Sequence, residues 1–142
     1  MALIEFKNLP DTTTPITAEN LNNNFNECNN IVESGSNANG NYIKYSDGTM
    51  ICTKSYSGNI NISAQLGNVY YTGIYAQAGD LPQTFTSVYA SLVNVINDYE
   101  IWSSTSFSAT TTKWPSRVNA YSAQVKNNVP IRIDMMVIGK WK

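Results

Sequence analysis

Three observations predict a mainly β protein, an antiparallel β-sandwich head preceded by one short N-terminal helix. Hydrophobic periodicity changes from helical to extended near residue 40, and about eight short apolar or alternating runs follow, separated by turn residues. No run alternates with a second helical pattern, which argues against a parallel α/β sheet. One narrow apolar seam near the N-terminus accounts for the single helix.

The elements follow in order. Residues 1–16 are read as an extended lead, because Pro10 and Pro15 bias Leu9 and Thr14 away from helix. Residues 17–33 are read as a helix, with Thr17 as N-cap and Glu19 in the first turn, where the helix dipole favours an acid. Its apolar residues Ala18, Leu21, Phe25, Cys28 and Val32 are spaced 3, 4, 3 and 4 apart, a heptad seam rather than a broad face. Asn22, Asn23, Asn24, Asn26, Asn29 and Asn30 fill the remaining positions, and Asn is a poor helix former. A helix of about 17 residues with that composition is marginal alone in water. Its seam packs either on the head's own sheet or against copies of itself. Self-association is the favoured reading, since almost no other helix exists to receive it, although the seam covers little more than two heptads.

Residues 34–40, small and polar, read as a linker, and residues 41–142 as the head. Residues 42–45 and 49–53 flank Ser46-Asp47-Gly48, a hairpin signal. Ile60 and Ile62 alternate with polar neighbours, and residues 69–75 are rich in Val, Tyr, Thr and Ile. Residues 88–96 are almost continuously apolar, which predicts a central strand buried on both faces. Residues 101–107, 118–125 and 131–138 complete the set.

Composition narrows the function. Charged residues are 13% of the chain, the net charge is -1, and the nine cations are scattered, which argues against nucleic-acid binding. Neither a signal peptide nor an apolar run long enough for membrane insertion is found. With no histidine and two widely separated cysteines, no metal site or cofactor is expected. Cys28 and Cys52 are expected as free, buried thiols.

Residues 8–25, "NLPDTTTPITAENLNNNF", resemble the N-terminal lead of bacteriophage tail-fibre and baseplate-tip proteins: an acid-Thr-x-x-Pro-Ile turn, then an Asn-rich helix opening Ala-x-x-Leu-Asn. Three later motifs, "NYIKYSDGTMIC" (residues 41–52), "LPQTFTS" (81–87) and "VIGKWK" (137–142), resemble the heads of such fibres. The order of the motifs is more specific than any one of them. The resemblance implies a component of a phage, prophage or tail-derived bacteriocin particle, assembled in the host cytoplasm without a secretory signal. It also implies a homotrimer that joins other tail or baseplate proteins through its N-terminal segment and binds a host-surface receptor, such as a carbohydrate, with its head. Three weak sites on one tip gain avidity.

Saccharide recognition stacks a sugar face on an aromatic ring and satisfies hydroxyls with amides and carboxylates. Asn97, Asp98, Tyr99, Trp102 and Trp114 are the candidates, Trp114 foremost because Thr110-Thr111-Thr112 and Pro115 place it in a loop. The same tryptophan folded back over the core is an equal reading. Trp141 closes the last strand and suits core or subunit packing. At least one of Tyr70, Tyr71 and Tyr75 is expected to face outward.

Without histidine a Ser or Cys nucleophile lacks its usual base, so an enzyme is not expected. Asp98 and Glu100 form the one carboxylate pair suited to glycan hydrolysis, and a solvated turn is the preferred reading of them. An assembly adaptor with no receptor contact is the other alternative. It would carry large apolar docking surfaces where a tip carries polar loops.

Overall fold

The computed structural model describes residues 30–97 and 100–142. Most of the expected helix, with Ala18, Leu21, Phe25 and Cys28, lies outside the described residues, as do Asp98 and Tyr99.

The described residues are mainly β. The strands are β1 (Ile31–Asn37), β2 (Gly40–Tyr45), β3 (Thr49–Ile62), β4 (Ala64–Leu66), β5 (Val69–Ile74), β6 (Ser87–Asn97), β7 (Trp102–Thr105), β8 (Val118–Ser122) and β9 (Lys126–Lys140). They form a five-stranded sheet, β1-β2-β3-β9-β6, and a four-stranded sheet, β4-β5-β8-β7, antiparallel throughout. The expected hairpin joins β2 to β3. Asp47 accepts hydrogen bonds from the Thr49 amide (2.8 Å) and hydroxyl (3.0 Å), and Gly48 takes a positive φ of 88°.

Three expectations are corrected. Residues 31–37, read as the helix end and most of a linker, are strand β1, so the head begins earlier than residue 41. A small polar stretch looks like a linker until a partner strand takes its hydrogen bonds. Here β2 does so, and the Tyr42 hydroxyl and Lys44 ammonium each donate to Glu33 at 2.7 Å. Those two donors hold the Glu33 carboxyl below its ordinary pKa. Val32, the last residue of the proposed seam, is thus on a strand and 52% exposed.

Secondly, the runs at 49–53 and around Ile60 belong to one 14-residue strand, β3, which pairs along its whole length with the 15-residue β9. Near its end the ladder shifts register between Ile60 and Ile62. Asn128 there adopts a positive φ of 54°, and its amide donates to Asn61 Oδ1 at 2.7 Å.

Thirdly, the continuous apolar run of β6 is an edge strand rather than a central one. Its Val93 and Val95 pack on the core, whereas Leu92 is 55% exposed and Ile96 40%. The run is apolar on both sides, but the described residues cover only one. The interior strand beside it is β9, between β3 and β6, whose Val129, Ile131, Ile133, Met135 and Val137 are buried.

The core lies between the sheets. Met50, Cys52 and Ile62 from β3 meet Ile74 from β5 and Val118 and Ala120 from β8. Two connections close one end of it. The Leu81 and Phe85 amides donate to the Thr112 and Thr111 carbonyls (both 2.8 Å), and Lys113 pairs with Asp80 at 2.9 Å. Cys52 is a free, buried thiol, and burial pushes its pKa up to about 11.

Candidate functional site

Alternation on β8 turns Val118, Ala120 and Ser122 inward, which leaves Asn119 and Tyr121 on the outer face of the four-stranded sheet. Register then does the rest: Tyr71 on β5 and Trp102 on β7 both lie opposite Tyr121. The result is a row of three aromatic rings across three neighbouring strands. Trp102 and Tyr121 are stacked, with centroids 6.2 Å apart and planes 11° apart, and Tyr121 and Tyr71 are 6.4 Å apart and tilted by 31°. Trp102 is 49% exposed, and the Tyr121 hydroxyl lies 3.2 Å from Ser104 Oγ. The exposed Trp102, continued by half-buried Tyr121 and Tyr71 with a hydroxyl beside it, suits stacking against a polar ring.

The next rows along the sheet are polar. Gly73 lies opposite Asn119, whose side chain is 7% exposed and donates to Ser106 Oγ, while its Oδ1 has no partner. Beyond it, the Arg117 guanidinium lies 5.6 Å from the centre of the Tyr75 ring.

The sequence-predicted residues divide. Trp102 belongs to the row. Asn97 ends β6 in the other sheet, opposite Ile131, and Asp98 and Tyr99 lie outside the described residues. Trp114 is corrected: it is 1% exposed, its indole N–H donates to the Asn39 carbonyl (2.9 Å) and its amide to the Gly79 carbonyl (3.0 Å). The polar loop folds back and carries it into the core, so it cannot stack on a ligand. Trp141 is partly buried against the core, and its indole donates to the Tyr45 carbonyl at 3.1 Å. Tyr121, Asn119 and Arg117 were missed. Tyr121's alternation with buried Ala120 and Ser122 was the available signal, but alternation alone does not reveal which strands flank it.

The five-stranded sheet turns a different face outward. Ile43, Ile51, Ile138 and Ala90 occupy one cross-strand row, and Thr53, Met136 and Leu92 the next. Then come Ser55, Asp134 and Asn94, around an open concavity of ≈ 510 Å³. The Ser55 hydroxyl, donating at 2.7 Å, and then Arg132 hold the Asp134 carboxyl below its ordinary pKa.

No protein-family model matches the chain, and no curated protein does. Two solved structures show partial similarity to the chain. One is a P. aeruginosa R1 pyocin fiber comprising C-terminal residues 323-701, at 15% identity and TM-score 0.43, over 87% of this chain and 31% of that one. The chain thus spans about a third of its length. The other is an N-truncated R1-type pyocin tail fiber, also at 15% identity and TM-score 0.43, over 87% of this chain and 96% of that one. At that level of likeness, function has to be argued from the residues themselves.

Proposed function

We propose that this chain is a tail-fibre or baseplate-tip protein of a phage-type particle, and that its head binds host-surface carbohydrate without catalysing a reaction. The observation that carries the binding is the row of half-buried Tyr71 and Tyr121 beside exposed Trp102, rings on which a sugar could stack. The particle context rests on the order of the N-terminal, hairpin and C-terminal motifs along the sequence. Asp47 and Asp80 are accounted for as turn and ion-pair residues, so the binding reading needs neither as a catalyst.

A homotrimer is part of the proposal. The 11-residue edge strand β6 carries no charged residue and no proline, the usual protections of an open edge. Its exposed Leu92 continues an aliphatic row across the sheet. A second copy of the head is the occupant this surface suits, in company with the N-terminal seam. The same surface also favours the alternative reading as an assembly adaptor, which the aromatic row does not.

The test is a glycan array probed with the full chain and with Trp102→Ala and Tyr121→Ala. Each variant is expected to bind about tenfold more weakly, the factor that 1.4 kcal/mol of lost stacking represents. Unchanged binding in both, or no glycan bound by the parent chain, rejects the carbohydrate reading and leaves the adaptor.

A further inference from the structure

The Arg117 guanidinium, just ahead of β8 and further along its line from the aromatic row, has no ion-pair partner among the described residues. The ion pairs among the described residues join Lys44 to Glu33, Lys113 to Asp80 and Arg132 to Asp134, and none includes Arg117. Its Nε is enclosed and lacks a hydrogen-bond partner. Yet the side chain is held in place. Its guanidinium lies against the Tyr75 ring, and a Cβ at Gly73 would come within 2.8 Å of Nε. The absence of a side chain at Gly73 is therefore what admits Arg117 to the sheet surface. Two residues along the same strand face, Asn119 Oδ1 is enclosed and unpartnered, an acceptor that a saccharide hydroxyl, not an anion, would satisfy. A partly covered cation with no carboxylate beside it is costly unless something from outside supplies the acceptor. The guanidinium fork matches a planar or tetrahedral oxyanion, and the aromatic contact fixes its plane.

We propose that Arg117, positioned by Gly73 and Tyr75, is an oxyanion-binding group that makes the outer face of the four-stranded sheet selective for acidic saccharides. This rests on the reading of the aromatic row as the saccharide-binding face. Arg117 and Tyr121 are four residues apart on one strand line, ~13 Å at ~3.3 Å per residue. One sugar ring cannot reach both. The ligand is an oligosaccharide, with one unit stacked on Trp102 and Tyr121 and an acidic substituent further along. A carboxylate and a phosphate share the required chemistry.

The experiment is an NMR titration of the ¹⁵N-labelled full chain. It follows the Arg117 Nε–H, the Ser106 and Asn119 amides and the Trp102 indole N–H. The probes are sodium acetate and methyl phosphate at constant ionic strength, with sodium chloride as reference. The expected result is a saturable shift of the Arg117 and Asn119 signals with one of the two anions, and none at the Trp102 indole. Which anion acts assigns carboxylate or phosphate. Gly73→Ala, which displaces the guanidinium, should weaken the anion at least fivefold. Arg117→Gln should abolish the response at Ser106 and Asn119, and Arg117→Lys should keep part of it. Backbone amide dispersion confirms that each variant is folded. No saturable shift, a shift equal to that from chloride, or an unaltered response in Arg117→Gln overturns the proposal. Failure of the broader carbohydrate reading is seen separately, in the Trp102→Ala and Tyr121→Ala array experiment.

Discussion

The five-stranded sheet presents Ile43, Ile51, Ile138, Met136 and Leu92 in adjoining rows, whereas the four-stranded sheet presents Tyr71, Tyr121 and Trp102 with Asn119 and Arg117 beyond them. Both are outer faces of one sandwich. Aliphatic rows gain only from leaving water, so they suit a broad, flat protein partner. Rings with polar groups beside them hold a small polar ligand in one orientation. On the proposed function, the first face would serve assembly and the second recognition.

That division can be broken experimentally, and the largest effect concerns the two tryptophans on either side of it. Trp114→Ala removes a buried ring whose indole also bonds the β1–β2 turn, and should cost about 3–5 kcal/mol in urea unfolding. Trp102→Ala should cost about 1 kcal/mol or less, because only cross-strand contact is lost. Equal costs would mean that Trp102 is a structural residue.

Next in size is self-association. Leu92→Lys with Ile96→Lys places two cations on the aliphatic side, where each leucine or isoleucine buried in a partner would contribute about 1.5–3 kcal/mol. The mass in solution, by light scattering, should fall to that of a monomer or a weakly associated species, while Tyr121→Ala leaves it unchanged. An unaltered mass in the double variant would remove the aliphatic face from the assembly.

Acid provides a finer probe. Glu33, Asp47 and Asp134 all have folded pKa values below their ordinary ones, from Lys44 and Tyr42, from Thr49, and from Ser55 and Arg132 respectively. A lowered carboxylate stabilises the fold above its unfolded pKa, and that contribution disappears as pH falls through the folded value. Stability should therefore decline below about pH 4. Asp134→Asn should make the decline shallower, by less than either change above. The smallest effect is on reactivity: with its pKa near 11, Cys52 should resist Ellman's reagent at pH 8 in a Cys28→Ser background until urea unfolds the chain.

How much was legible depended on how local the determinant is. The β2–β3 hairpin was readable because Asp47 and Gly48 act within their own turn. Trp102 was readable as a candidate because the polar turn Asn97-Asp98-Tyr99-Glu100 comes just before its strand. Residues 34–37 were not, since their strand exists only through pairing with β2. Trp114 misled because the polarity of its loop describes the loop's outer side, while its ring follows the chain back into the core. The row Tyr71-Tyr121-Trp102 depends on a register among strands far apart in sequence, and no single strand contains it.

β3 and β9 run side by side from Thr49↔Lys140 to Ile62↔Lys126, nearly the full length of the sheet. A pull along that direction loads the whole ladder in shear, with the rungs sharing the force, where a pull across it would unzip them singly. If the head grips a host surface as proposed, these two strands would give it a stiff spar.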